Sequence, residues 1–187
     1  KIAQSPRVET VYVAPGNAGC AEVATCVDLD LNNIPTVSRW ARDHGIGLVV
    51  PGPEAVLCDG IVDACMEQGL KVFGPTRAAA ELEGNKAFCK NLMRRHGIPT
   101  ADYAVFEQFE AAKRYLDERE DGPLVVKATG LAAGKGVSVC RNHEEALDAL
   151  RRCMVESEFG DAGARVIVEE FLRGEEVSVL ALTDGKT

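Results

Sequence analysis

The chain has no Cys-x-x-Cys pair. Its seven cysteines (Cys20, Cys26, Cys58, Cys65, Cys89, Cys140 and Cys153) are scattered, odd in number and without metal-site spacing. That excludes a thiolate metal knuckle and predicts reduced thiols in a cytosolic setting. Cys89 and Cys153 are expected to pack inside helices as small hydrophobes. No apolar run approaches the roughly 20 residues that cross a bilayer, and the first residues do not read as a signal peptide. A membrane partner is therefore not expected, and the expected location is cytoplasmic. Positive charge is also short, with 21 Lys and Arg against 29 Asp and Glu and a formal net charge of −8. General nucleic-acid binding needs basic surface to neutralise phosphates, so this balance argues against it. A local basic pocket for one nucleotide remains open. Repeats and low-complexity segments are absent too.

What is present suits an ordinary globular protein: 46% hydrophobic and 27% charged residues over 187 positions, enough for one or two domains. The first third alternates strand and helix signals. "TVYVAP" is a short β-branched run. "IPTVSRWARDHG" places Ile34, Val37, Trp40, Ala41 and His44 on one helical face and stops at Gly45. "IGLVVPG" reads as a buried strand, "DGIVDACMEQG" as a helix and "LKVFGP" as another strand. Repeated β–α–β with short turns predicts a parallel sheet covered by helices. The opening "KIAQSP" looks like the last turn of a helix, so an earlier strand–loop–helix is expected upstream.

After Gly74-Pro75 the character changes, and a domain boundary is expected near residues 75–100. "AAAELEGNKAFCKNLMRRHG" reads as one long amphipathic helix, or two broken at Gly84, ending at Gly97. A helix over "QFEAAKRYLDERE", a strand "PLVVKA", a strand "VSVC" and a helix from about Asn142 follow. Asn142 with Glu145 suggests a capping box. "RVIVEEFL" and "EVSVLALTDGKT" read as strands, with a turn at Arg173-Gly174 between them and a hairpin turn at Asp184-Gly185. A hairpin bridged by a glycine-rich loop, then helix and strands, is an α+β pattern.

The chemistry concentrates in "KATGLAAGKGVSV". The P-loop pattern fails here, because three residues separate Gly130 from Gly134 and Lys135 is followed by Gly136. The dinucleotide fingerprint fails as well. A strand delivering Lys127 into a glycine-rich loop carrying Lys135 still suits a triphosphate, because glycines let backbone N–H groups approach phosphate oxygens and lysines neutralise charge. About forty residues on, an apolar strand ends in Glu169 and Glu170. These alternate across a strand, so one of them, Glu169 by preference, points into any pocket. Competing structural readings exist: Lys127 as a snorkelling edge lysine, Lys135 as a solvated loop charge, Lys86 as a surface residue of its helix, and Glu54 as a helix N-terminal carboxylate. His44 and His96 precede helix-ending glycines and read as structural. His143 has no acidic partner nearby in sequence.

Together "VYVAPGNAG", "GPEAVLCDGIVDA", "FGPTRAAAELEGNKAFCKNLMRRHGIPTA", "VVKATGLAAGKGV", "FGDAGARVIVEEFLRGEEVS" and "TDGKT" resemble the glycinamide ribonucleotide synthetase family, over essentially the whole chain. The resemblance implies an α/β fold: a Rossmann-like parallel-sheet domain over residues 1–76, first strand missing, followed by the first part of an α+β ATP-grasp domain over residues 77–187. It implies ATP-dependent ligation of glycine to 5-phosphoribosylamine through a glycyl phosphate, in purine biosynthesis, with Mg²⁺ (or Mn²⁺) whose ligands are expected beyond Thr187.

By the same resemblance, Lys86 and Lys127 reach the phosphates, and Gly130, Gly134, Lys135 and Gly136 belong to a lid over the triphosphate. Glu169 sits on the adenine side, Glu170 and Leu172 give backbone contacts to the base, and Glu176 takes the ribose. Glu54 holds the ribose of phosphoribosylamine, which puts the expected active site between the two domains. Lys127 and Lys135 are the expected catalytic residues. Thr129 stands where the family more often has Ser or Asp. A monomer, or a fusion with other purine enzymes, is expected, and a chain of this extent is expected to be inactive alone. The alternatives are another ATP-grasp carboxylate–amine ligase and a non-catalytic nucleotide-binding module.

Overall fold

The computed structural model describes residues 1–132 and 134–184. The chain divides into two compact units, Lys1–Cys89 and Lys90–Thr187.

The first unit is built on parallel pairing. After a 3-10 turn at Ile2–Gln4, strand β1 (Tyr12–Val13) pairs in parallel with β2 (Thr25–Cys26), and helix α1 (Ala18–Ala21) lies between them. Helix α2 (Ile34–Asp43) begins where the Asn33 side chain accepts from the Thr36 N–H at 3.2 Å, with Pro35 in the first turn, where its missing N–H costs nothing. It ends at His44 before Gly45, whose φ of 62° lies in the left-handed region. Helices α3 (Glu54–Cys58), α4 (Ile61–Glu67) and α5 (Arg77–Gly84) follow. The core here is small: Ile61, Val62 and Cys65 are buried, with Ile34, Val37, Val49 and Val72 partly so around them.

The two strands expected at 46–52 and 70–75 reduce to one parallel bridge, Val49 with Val72, closed by Val49 N–H to Lys71 O and Phe73 N–H to Val49 O, both 2.9 Å. Leu48 and Val50 are exposed on either side of Val49. A parallel strand gains its stability from burial on both faces, and these neighbours have none, so the ladder does not propagate. Strand β2 and helices α1 and α3 carried too little periodic signal to be read from so few residues.

Helix α6 (Lys86–Arg95), whose residues fall on both sides of the division at Cys89, is separated from α5 at Asn85, where the chain turns extended and the Asn85 side chain accepts from the Phe88 N–H at 3.0 Å. The break expected at Gly84 is thus present, one residue later. In the second unit four strands form an antiparallel sheet in the order β3-β6-β4-β5: Tyr103–Phe106, Val166–Glu170, Leu124–Ala128 and Val137–Cys140. Helices α7 (Phe109–Asp117) and α8 (His143–Met154) pack on one face. Their Ala112, Leu116, Ala146, Ala149, Leu150 and Cys153 bury against Leu124, Val126, Cys140, Val166 and Val168 of the sheet.

At the start of α8 the Asn142 side chain accepts from the Glu145 N–H at 3.0 Å, while the Glu145 carboxylate takes the N–H of Arg141 at 2.8 Å, one residue before the position a full capping box would use. Strand β3, missed in the sequence because it is four residues long and follows Pro99, forms one edge of the sheet.

The strand expected over 176–183 does not form: residues 175–184 are exposed and irregular, with Val177, Val179, Leu180 and Leu182 open to solvent. The alternation is present, but among the described residues no strand pairs with it, and a strand exists only as part of a ladder. The chain shows a bend at Gly174 where a turn was expected, and the turn at Asp184-Gly185 lies outside the described residues.

Candidate functional site

The face of the second unit's sheet opposite the helices collects the charged groups. Register fixes this. Lys127 stands opposite Ile167, Val125 opposite Glu169 and Tyr103 opposite Glu169, so Lys127, Glu169 and Tyr103 project to the same side. Val137 and Val139 of β5 share that face by their pairing with Lys127 and Val125, and both are exposed. The alternation between Glu169 and Glu170 resolves in the expected sense: Glu169 is 4% exposed, while Glu170 points outward and takes the Asp102 N–H at 3.0 Å.

Glu169 is held by two ammonium groups. Lys127 Nζ donates to its Oε2 at 2.6 Å, and Lys90 Nζ lies 3.2 Å from its Oε1. Oε1 is fully buried and makes no hydrogen bond of good geometry, so its contact with Lys90 is an ion pair alone. An isolated buried carboxylate is costly, and paired cations are what make it tolerable. Lys90 is 12% and Lys127 27% exposed, so the cluster opens towards solvent on the Lys127 side. Lys90 is the functional candidate that sequence reading missed. A lysine on an amphipathic helix reads as a solvated charge, and only the tertiary fold shows it turned inward.

The glycine-rich loop begins where β4 ends. Its geometry explains three glycines by two different causes. A Cβ on Gly130 would come within 2.8 Å of Ala162, and one on Gly136 would meet Ala132 at 2.8 Å and Ala128 at 3.0 Å, so both are demanded by close packing. Gly134 has open space but a φ of 77°, a conformation other residues adopt at a cost. The loop is tied down at its base by Thr129 N–H to Arg165 O at 3.0 Å and Ala128 N–H to Gly136 O at 2.8 Å. Lys135, near its crest, is exposed.

Other expected residues are placed as follows. Lys86 is the first residue of α6, four before Lys90, and Glu54 is the exposed first residue of α3. Leu172 and Glu176 lie in the exposed irregular stretch after β6, and the structure does not bring Glu176 to the Lys127–Glu169 pair. His44 stacks on Trp40 with centroids 4.0 Å apart and its Nδ1 lies 2.8 Å from Trp40 O. His143 meets Asp117, 26 positions away in sequence, at 3.2 Å; Lys113, hydrogen-bonded to Asp117, holds that carboxyl below its ordinary range. Burial pushes the Cys140 and Cys153 thiols up, which disfavours the thiolate that a nucleophile requires. Among the described residues no group of three or more His, Cys, Asp or Glu side chains could hold a metal ion, and no helix is long and apolar enough to cross a membrane.

Comparison with known proteins gives the following. Residues 1–83 match the family model "Phosphoribosylglycinamide synthetase, N domain", and residues 84–187 match "Phosphoribosylglycinamide synthetase, ATP-grasp (A) domain". The phosphoribosylamine–glycine ligase of Rhodopirellula baltica is 53% identical over 192 residues, covering all of this chain and 44% of that protein. The crystal structure of phosphoribosylamine–glycine ligase from Thermotoga maritima superposes with a TM-score of 0.73 at 27% identity, over 93% of this chain and 41% of that one. The biotin carboxylase domain of Hydrogenobacter thermophilus 2-oxoglutarate carboxylase, solved in complex with MgADP, superposes with a TM-score of 0.63 at 26% identity, over 80% of this chain and 34% of that one. The chain spans 44% of the length of the curated relatives it matches.

Proposed function

The chain belongs to the phosphoribosylglycinamide synthetase family, and on that premise we propose that it carries the nucleotide-binding part of an ATP-dependent ligase. The reaction joins glycine to 5-phosphoribosylamine in purine biosynthesis. The glycine carboxylate attacks the γ-phosphorus of ATP and expels ADP, giving glycyl phosphate. The amine of 5-phosphoribosylamine then attacks the acyl carbon and expels phosphate, leaving glycinamide ribonucleotide. Such chemistry is mostly positioning and charge neutralisation, and no dedicated base is needed, because the attacking amine is already nucleophilic.

The observation that carries this reading is the half-exposed Lys127 ammonium, anchored to buried Glu169 at 2.6 Å and set at the root of the glycine-rich loop. One of its three protons is spent on Glu169, which leaves two for phosphate oxygens. Lys127 and Lys135 neutralise charge as it moves from the γ-phosphoryl group to the leaving ADP, with Lys86 as a further phosphate ligand. Gly130, Gly134 and Gly136 supply backbone that can approach the triphosphate.

Glu169 lies on the adenine side. Glu170 has its N–H engaged by Asp102 O at 2.9 Å, so its carbonyl is the atom offered to the adenine amino group, with the Leu172 backbone beyond it. Glu176 takes the ribose hydroxyls and Glu54 the ribose of phosphoribosylamine. A divalent ion, Mg²⁺ or Mn²⁺, accompanies ATP. The described residues offer no donor set for it, so none of these steps is routed through it. The setting is the cytoplasm, with small-molecule substrates and a monomer, or a fusion with other purine enzymes, as the assembly. Residues 1–76 and 77–187 are the corresponding domains.

The test is product formation. The polypeptide as its gene encodes it, given ATP, glycine and 5-phosphoribosylamine, should release ADP and phosphate in step with glycinamide ribonucleotide. ADP release that follows bicarbonate or formate in place of glycine would assign it to another ligase of the same fold.

A further inference from the structure

Lys90 and Lys127 both touch Glu169, but they differ in what they have left to give. An ammonium has three protons. Lys90 directs its Nζ at the Thr100 hydroxyl oxygen at 2.7 Å, at Ala101 O at 3.3 Å and at Glu169 Oε1 at 3.2 Å. The first two are hydrogen bonds to the segment that leads into β3, and the third is an ion pair. Its Nζ also lies 5.5 Å from the centre of the Tyr103 ring. Lys90 is thus committed to groups of the fold and is only 12% exposed. Among the described residues Lys127 has a single hydrogen-bond partner, Glu169 Oε2, and it is the more exposed of the two.

Glu169 is thus pinned through one oxygen so that only the other meets Lys127. Were Oε1 released, the carboxylate could turn and chelate the Lys127 ammonium with both oxygens, drawing it back from the open face. The arrangement is a relay of contacts running Thr100 and Ala101, Lys90, Glu169, Lys127.

We infer that Lys90 is a positioning residue of the nucleotide site: by fixing Oε1 of Glu169 it keeps two donors of Lys127 directed at the ligand's phosphates. The inference rests on the nucleotide reading given under "Proposed function". It assigns Lys90 no contact with the ligand, and it separates Lys90 from a lysine that merely stabilises the fold.

The experiment measures affinities for ATP, ADP and adenosine by calorimetry or ligand-observed NMR, in the polypeptide as its gene encodes it. Lys90→Met should weaken ATP about tenfold, the low end for loss of a hydrogen bond to a charged group. ADP should be weakened less and adenosine less than about twofold, because the lost donors serve phosphates. Lys90→Arg, which keeps the charge and an N–H for Glu169, should recover most of the ATP affinity. In a Glu169→Gln background, adding Lys90→Met should change ATP affinity less than about twofold, because the relay is already cut.

Equal losses for ATP and adenosine would show a structural role and overturn the inference. So would full additivity with Glu169→Gln, which would mean Lys90 acts on the ligand directly. Should Lys90→Met fail to fold, Lys90→Gln carries the same measurements. Lys127→Ala separates the two levels. If it weakens ATP while Lys90→Met does not, only this inference fails. If Lys127→Ala leaves ATP affinity unchanged, the nucleotide reading itself fails.

Discussion

The two units reach stability by unequal means. In Lys90–Thr187 four antiparallel strands and two helices bury eleven residues in one continuous cluster, while in Lys1–Cys89 the corresponding cluster holds three. The difference follows from how each sheet is paired. An antiparallel sheet can bury one face under helices and put the other to a different use, and here the face opposite the helices carries Lys127 and Glu169. A parallel sheet needs cover on both faces, and the first unit's strands stop at two residues or a single bridge where that cover is lacking. The well-packed half is thus also the half that can hold charged side chains to a fixed geometry, since their strands are locked from behind.

One substitution made in both units tests the contrast most strongly. Ile167 is wholly buried in β6, and Ile61 is nearly so at the start of α4. Ile167→Ala should cost about 4–5 kcal/mol, at the upper end of the range for such truncations, and Ile61→Ala about 2 kcal/mol, because its loosely packed surroundings can collapse into the space. Denaturant titrations of the two variants give the comparison directly, and equal losses would break it.

A smaller effect is expected where the second unit admits no added atom. A Cβ on Gly163 would sit 2.8 Å from the Cys153 carbonyl oxygen, so Gly163→Ala should cost about 1–3 kcal/mol by overpacking, whereas Gly47→Ala in the first unit meets open space and should cost less than about 0.5 kcal/mol. Asn142→Ala, which removes the cap of α8, should destabilise by about 1 kcal/mol in the same titration.

The mildest probe leaves the sequence unchanged. Cys26 is exposed and should react with iodoacetamide in the native protein, while buried Cys65, Cys140 and Cys153 should react only on unfolding. Burial pushes the last three thiols up, which slows them further at neutral pH. If the first unit opens more readily, Cys65 should become reactive at a lower denaturant concentration than Cys140 or Cys153.

Much of this was legible in the sequence, for identifiable reasons. The "PLVVKA" and "VSVC" strands, the loop between them and the helices over 34–43, 109–117 and 143–154 announced themselves by period and by end signals. Strand alternation allowed only one of Glu169 and Glu170 to face a pocket, and Glu169 is the buried one. Strand β3 was not legible, since four residues after a proline give no periodicity to count. The apolar run at 176–183 misled because alternation reports a capacity for pairing, and pairing needs a partner. Lys90 was hidden for a third reason. Its inward turn depends on Thr100, Ala101 and Glu169, at sequence separations of 10, 11 and 79, which no local pattern conveys.

The account stands on Lys127, held to Glu169 and open to a ligand on its other side, as the anchor for nucleotide phosphates. Calorimetric titration of ATP into the wild-type polypeptide and into Lys127→Ala tests that claim most directly. The substitution should weaken ATP by about 1.5–3 kcal/mol, the range for hydrogen bonds to charged groups, with little change in adenosine affinity. An ATP affinity equal to that of the wild type would contradict it.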